Sequence, residues 1–337
     1  MPYPWKITAR TALLGMVLLI LSLGSPLPGK ATVAMEACRD LAFSTSEDFV
    51  TRGPEPGDGN PIISDGDLLG ANCSICARNA DLLAVFEVNA GLDLGLDAVD
   101  VIDVEGFLVA FSTELDSPNL GQFKAGDLLT TNHVVIPNQA LTFAFGPGAI
   151  QVDLGLDGIH FVGESADILG FLDAAAQYDR EDWLHTPDLI SDLLGDFQMD
   201  IWFSTEGTAG PVDGPLFLDG DVLSAAFGGV IVPHLFLLSG AVPAGIPSRG
   251  VDFGLDGLTG ARNGEEDSLH FSTELLYSGG VAFTDGDVLR FNNGVIFTNP
   301  DLVGCFEPRT QMLGLDALYL AEILAETIHL PLILNQE

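Results

Sequence analysis

Apolar and polar residues alternate along this chain in short stretches, and the stretches recur. Leu96 to Val104 alternates with the period of a β-strand, and Phe107 to Thr113 follows with residues that strands favour. Asp287 to Phe291 and Val295 to Thr298 flank Asn292-Asn293-Gly294, a hairpin turn, because Asn and Gly tolerate positive φ. Phe227-Gly228-Gly229 holds the equivalent place in another unit. Three phrases mark the repeat. A Gly-Leu-Asp phrase ends at Asp97, Asp157, Asp256 and Asp316; a Phe-Ser-Thr phrase begins at Phe43, Phe111, Phe203 and Phe271; a Gly-Asp phrase ends at Asp67, Asp127, Asp221 and Asp287.

Each unit offers about four short antiparallel strands in roughly 60 residues, the content of one propeller blade. The chain opens on a Phe-Ser-Thr phrase and closes on a spare Gly-Leu-Asp phrase, so its last strand is expected to complete the first unit. The phrase order resembles repeats in large exported bacterial proteins of uncharacterised function that look like β-propellers, over about Arg39 to Leu320. Pattern and resemblance together predict an all-β fold: a four-bladed β-propeller closed by the C-terminal strand, with a small helical insert in the third blade.

That insert follows from spacing. Gly155 to Phe203 spans 48 residues, against 16 and 17 for the same interval in the neighbouring units. The extra length, about Glu164 to Met199, predicts two helices, one capped by Ser165 and one started by Thr186-Pro187-Asp188 and ended by Gly195. Because it interrupts strands that pair without it elsewhere, it is expected to be separable from the fold. Arg52 to Asn60, rich in Pro and Gly, predicts a loop.

The ends divide from the repeats. Residues 1–34 read as an export signal: basic Lys6 and Arg10, an apolar run from Ala12 to Leu23, and small residues Thr32-Val33-Ala34 for cleavage. The repeat domain is expected over 35–322 and an apolar tail over 323–337. A secreted or cell-envelope protein with no integral membrane segment after cleavage is the implied product.

Charge narrows the partners. The chain carries 48 acidic and 12 basic residues, a net −36 that becomes about −39 once Lys6, Arg10 and Lys30 leave with the signal. Such a charge opposes nucleic acid and anionic membrane surfaces and favours cations. The four cysteines, Cys38, Cys73, Cys76 and Cys305, are expected to form disulfides in an exported chain; Cys38 with Cys73 or Cys76, and Cys38 with Cys305, are rival pairings.

The candidate chemistry is carboxylate chemistry. Asp97, Asp157, Asp256 and Asp316 recur at one point of every unit and would ring a channel mouth, where they could hold Ca²⁺ through oxygen ligands. The competing reading has each bonding N–H groups of its own turn. Asp67, Asp127, Asp221 and Asp287, three of them in Asp-Gly-Asp with Asp65, Asp219 and Asp285, are expected to be turn residues, since no complete calcium loop surrounds them. The six histidines are scattered, and only His185, beside Asp182 and Trp183, has useful neighbours; a surface or capping role is expected. No cofactor besides Ca²⁺ is indicated.

Three function classes remain. The preferred one is an exported, non-enzymatic binding or scaffold module, with Ca²⁺ as its candidate stabiliser and an extracellular protein or glycan as its partner. The alternatives are an extracellular polysaccharide hydrolase or lyase using carboxylates, and a structural envelope component.

Overall fold

The repeated phrases set the strand register. A computed structural model describes residues 35–146, 153–211, 214–245, 250–310 and 312–321; the expected export signal and the apolar tail 323–337 lie outside the described residues. The first unit contains β1 (Leu41–Phe43), β2 (Phe49–Val50), β3 (Ile62–Ile63), β4 (Leu68–Gly70), β5 (Ser74–Ala77) and the one-turn helix α1 (Asn79–Leu82). The second contains β6 (Val99–Asp103), β7 (Leu108–Phe111), β8 (Leu128–Thr130), β9 (Val135–Ile136) and α2 (Asn138–Leu141). In the third, β10 (Gly158–Val162) is followed by α3 (Ser165–Ala175), α4 (Arg180–His185) and α5 (Leu189–Asp196), then by β11 (Asp200–Ser204), β12 (Val222–Ser224), β13 (Gly229–Val232) and α6 (His234–Leu237). The fourth has β14 (Gly257–Thr259), β15 (His270–Ser272), β16 (Val288–Arg290), β17 (Val295–Phe297) and α7 (Asn299–Val303), and β18 (Leu318–Leu320) comes last.

The all-β content agrees with the sequence, but the closed four-bladed β-propeller does not. The strands form four separate four-stranded antiparallel sheets, β18-β1-β4-β5, β6-β7-β8-β9, β10-β11-β12-β13 and β14-β15-β16-β17, and a two-stranded ribbon β2-β3; none closes into a barrel or propeller. The named strands pair only inside their own sheets, so what passes between units is side-chain packing, isolated hydrogen bonds, the ion pair of Arg262 with Asp100 and the disulfide of Cys73 with Cys305. The spare last strand is accounted for locally: Leu318, Tyr319 and Leu320 lie opposite Phe43, Ala42 and Leu41.

Within each sheet the same residues meet. The phrase phenylalanine sits opposite the residue two places after the phrase aspartate: Phe111 faces Val99, Phe203 faces Ile159, Phe271 faces Leu258 and Phe43 faces Leu318. On its other side it faces the leucine of the Gly-Asp strand, as in Phe111 with Leu129. All four phenylalanines are fully buried, each contributing about 2–3 kcal/mol by removing apolar surface from water.

The serine and threonine beside them divide the polar work. Ser44, Ser112 and Ser204 donate to the carbonyls of Leu96, Leu156 and Leu255 at the start of the next unit, at 2.8, 2.7 and 3.4 Å. Thr45, Thr113, Thr205 and Thr273 donate to the carbonyl two residues on and tie their own turns. A second bridge uses the first residue of each short helix. Asn79, Asn138 and Asn299 accept from the N–H groups of Leu94, Leu154 and Leu313, the leucines just before the next Gly-Leu-Asp phrase, and donate to nearby turn carbonyls.

Disulfides join Cys38 to Cys76 and Cys73 to Cys305. The first fits one of the two partners expected for Cys38; the rival Cys38–Cys305 bond is not made, because Cys305 sits against Cys73 instead. In the usual chain-entropy account each bond adds roughly 2–5 kcal/mol. Two disulfides fit an exported protein. Among the described residues no helix is long and apolar enough to cross a membrane.

The insert is not a separable module, and it holds three helices rather than two. The overlooked α4 begins with a reciprocal cap, Asp179 accepting from the N–H of Asp182 while Asp182 accepts from that of Asp179. Ile168, Phe171, Leu172, Trp183, Ile190 and Leu194 pack into one core with Ile159, Phe161, Ile201 and Phe203 of the flanking strands. Arg180 extends this inward contact with a buried ion pair to Asp127, 2.6 Å. Truncating the fully buried Trp183 to alanine is therefore expected to destabilise the whole protein by about 3–5 kcal/mol. Denaturant unfolding monitored by far-UV CD checks this, and a loss below about 1 kcal/mol would restore the module reading.

Candidate functional site

The Gly-Leu-Asp turn is built so that its aspartate leaves the strand side by side with a glutamate. Gly155 holds φ +76°, and a Cβ there would collide with the carboxyl group of Glu206, the residue after Phe203-Ser204-Thr205. Gly95 and Gly254 stand in the same relation to Glu114 and Glu274, and Gly314 to Ser46. Only glycine combines that backbone conformation with room for the carboxylate.

The structure brings the four phrase aspartates together. Asp97 lies in the field of Glu206, Asp316, Glu114 and Asp256; Asp157 in that of Asp97, Glu206, Asp256 and Glu274. Burial first, and then these neighbouring charges, push both acids well above the carboxylate range. The same causes raise Asp256 to about 9 and Asp316 to about 8, the latter sharing a hydrogen bond with Glu114. Glu114, Glu206 and Glu274, although open to solvent at one side, are also raised, chiefly by partial loss of hydration around their carboxyl groups.

The competing reading for these aspartates, satisfaction by their own turns, leaves one oxygen of Asp97 and one of Asp157 unaccounted for. Oδ2 of each is buried and takes no hydrogen bond from the protein. Nor do the ion pairs of Arg78, Arg180 and Arg262 help, since these arginines go to Asp67, Asp127 and Asp100. Oxygen atoms of Asp97, Asp157 and Glu206 all lie within 4.8 Å of one another, with Asp157 buried, Asp97 half-buried and Glu206 exposed. Among the described residues these three are the one carboxylate group placed closely enough to share an ion, and the geometry selects Glu206 to join Asp97 and Asp157 rather than Asp256 or Asp316.

The Gly-Asp aspartates are turn residues, as expected. Asp67 accepts from the N–H groups of Ser64 and Asn79, Asp221 from Leu218 and His234, Asp287 from Thr284 and Asn299, and Asp127 from Lys124. His185 hydrogen-bonds the carbonyl of Glu181 in the last turn of α4, while Asp182 caps that helix and Trp183 enters the core, so the three form no joint site.

Three groups escaped sequence reasoning. Glu206 was visible only as the residue after a phrase, in three units out of four. His234 replaces the bridging asparagine of the third unit, hydrogen-bonding Gly220 O through Nδ1 and accepting from Phe253 N at Nε2; its place at the start of a short helix after Pro233 was the available signal. The third is Arg262. It reaches Asp100 at 2.5 and 2.7 Å and also donates to the carbonyls of Val101 and Phe161, tying three sheets together. Beside it, burial lowers the pKa of His160 to about 4.

A separate groove of about 540 Å³ lies along Pro233, Leu235, Phe236, Leu238 and Phe291, and its acid, Glu266, is not one of the clustered carboxylates. No protein-family model, curated protein or solved structure matches the chain.

Two acids that border the centre make a pH test. Burial raises Asp65 to about 7, and burial with a hydrogen bond to Asp252 raises Asp219 to about 8. The folded protein thus keeps protons that the unfolded chain loses near pH 4, so this contribution to stability is present at low pH and is lost as pH rises through 7 to 8. His160 works in the opposite direction, but only below about pH 6.5, where the unfolded chain takes up a proton that the folded one refuses. Thermal midpoints measured in chelator should fall between pH 6.5 and 9, and fall less in Asp219→Asn. Parallel pH profiles for the two proteins would show that Asp219 is not protonated in the fold.

Proposed function

We propose that the protein is an exported binding or scaffold module, not an enzyme, whose acidic centre is held by a divalent cation, Ca²⁺. The observation that carries the reading is the convergence of the four phrase aspartates, with one buried oxygen of Asp97 and one of Asp157 left without a hydrogen bond. Turn residues that merely built scaffolding would be satisfied locally, as Asp67, Asp221 and Asp287 are. The net charge of −36 directs the module away from nucleic acid, and export points to an extracellular protein or glycan as its partner.

A cation that binds the folded state alone stabilises it by mass action, whereas screening by simple salt acts without specificity. The thermal midpoint should therefore rise in millimolar Ca²⁺ above its value in NaCl of matched ionic strength, and return on adding chelator. Equal midpoints in the two salts would refute the reading.

One observation favours a second reading, a hydrolase or lyase acting on extracellular polysaccharide. Asp219 keeps its proton to about pH 8 beside Asp252, the property required of a general acid at neutral pH. Release of reducing ends from acidic glycans, abolished in a folded Asp219→Asn, would establish that reading in place of the first; no release from such glycans by the wild type would dismiss it.

A further inference from the structure

The cation reading leaves open where the ion sits, and four aspartates at equivalent positions suggest a symmetric site shared by all of them. The geometry says otherwise. Three oxygens, one each from Asp97, Asp157 and Glu206, lie within 4.8 Å of one another. Opposite ligands on one Ca²⁺, at 2.3–2.6 Å each, stand about 5 Å apart, so the three oxygens fit a single coordination sphere.

The second observation is Asp157 itself. Its side chain is 3% exposed, and its Oδ2 is buried without a hydrogen bond. A buried carboxylate oxygen without a donor is costly unless a positive charge or a proton faces it. Asp97 Oδ2 is in the same condition. The cluster has a floor in Asp157, a wall in the half-buried Asp97 and a lip in the exposed Glu206, so an ion can enter from solvent while keeping some of its water.

We propose that one Ca²⁺ binds off-centre, between the second and third units, with Asp97, Asp157 and Glu206 as its protein ligands. This rests on the cation-held reading above and adds the ligand set. Asp97 comes from the turn before β6, Asp157 from the turn before β10 and Glu206 from the end of β11. The ion therefore joins two units that also meet through Ser112, Asn138, Asp100 and side-chain packing. Three carboxylates completed by water make a site of extracellular strength, with a Kd on the order of 10⁻⁴ to 10⁻³ M. Glu274 stands in the corresponding place of the fourth unit but has no part in the three-oxygen cluster, which makes it the control.

The experiment titrates Ca²⁺ into the wild type, Glu206→Gln and Glu274→Gln by calorimetry, and records thermal midpoints in Ca²⁺ and in matched NaCl. The wild type and Glu274→Gln should bind one Ca²⁺ per chain and share the calcium-specific rise. Glu206→Gln should bind on the order of tenfold more weakly and lose the rise. Removing one exposed like charge should leave its midpoint in chelator no lower than the wild type's, which separates loss of binding from loss of fold. A calcium-specific rise that persists undiminished in Glu206→Gln, or that both variants lose equally, overturns this ligand set while the cation-held reading stands. Absence of the rise from the wild type overturns both.

Discussion

Like charges brought together by the backbone are the constraint on which the rest of this structure depends. Each unit places a Gly-Leu-Asp turn at the start of its first strand, and the packing of those strands delivers the aspartates to a common place. Two carboxylates 5 Å apart repel by roughly 3 kcal/mol at an effective dielectric of about 20. The sheets hold them there through repeated features: buried phenylalanines in fixed register in all four units, serines that reach the next unit in three, and asparagines that grip its first turn in three. The charge is then a state variable of the fold. Protons answer it at Asp256 up to about pH 9 and at Asp316 up to about pH 8, and a divalent ion competes with protons for the same oxygens.

The units are alike in scaffold and unlike in chemistry. Positions three residues beyond the phrase aspartates are Asp100, His160, Thr259 and Tyr319, a different side chain in each unit. Asp100 takes Arg262 from the fourth unit, and Thr259 pairs with the backbone of Leu320. Ser46 replaces the glutamate in the first unit, removing one acid from the centre. Divergence at such positions makes the centre lopsided, and lopsidedness is what allows one pair of units to differ from the others in what it binds.

Much of this was legible in the sequence because repetition amplifies weak local signals. Phe-Ser-Thr and Gly-Asp read as strand ends four times over, so strand order and the pairing of Leu318–Leu320 with Leu41–Phe43 followed from phrase order. The aspartates were legible as a set for the same reason. What repetition could not supply was anything made once. Glu206 lies 49 residues from Asp157 with three helices between them, so no spacing links the two. Helix α4 was missed because six residues carry too little periodicity to register. The inward face of the insert was missed because an insertion is legible as extra length, while its packing depends on partners far away in sequence. The closed propeller failed as an expectation because blade-sized units specify sheets, and nothing in a sheet's own pattern specifies how sheets associate.

The bond between Cys73 and Cys305 joins residues 232 positions apart, and the strand beside β1 is β18, the last one described. Taken together these two contacts set an order of events during folding. The first unit is made first and waits with one edge of β1 unpaired and one thiol unspent, until the end of the fourth unit has followed it. An exposed strand edge invites pairing with other chains, and a free thiol under oxidising conditions invites the wrong partner. Premature oxidation of Cys73 with Cys76, its neighbour in the chain, would take one thiol from each native bond at once. The route to the native fold therefore depends on how readily that wrong bond is reshuffled, more than on the stability of the finished fold.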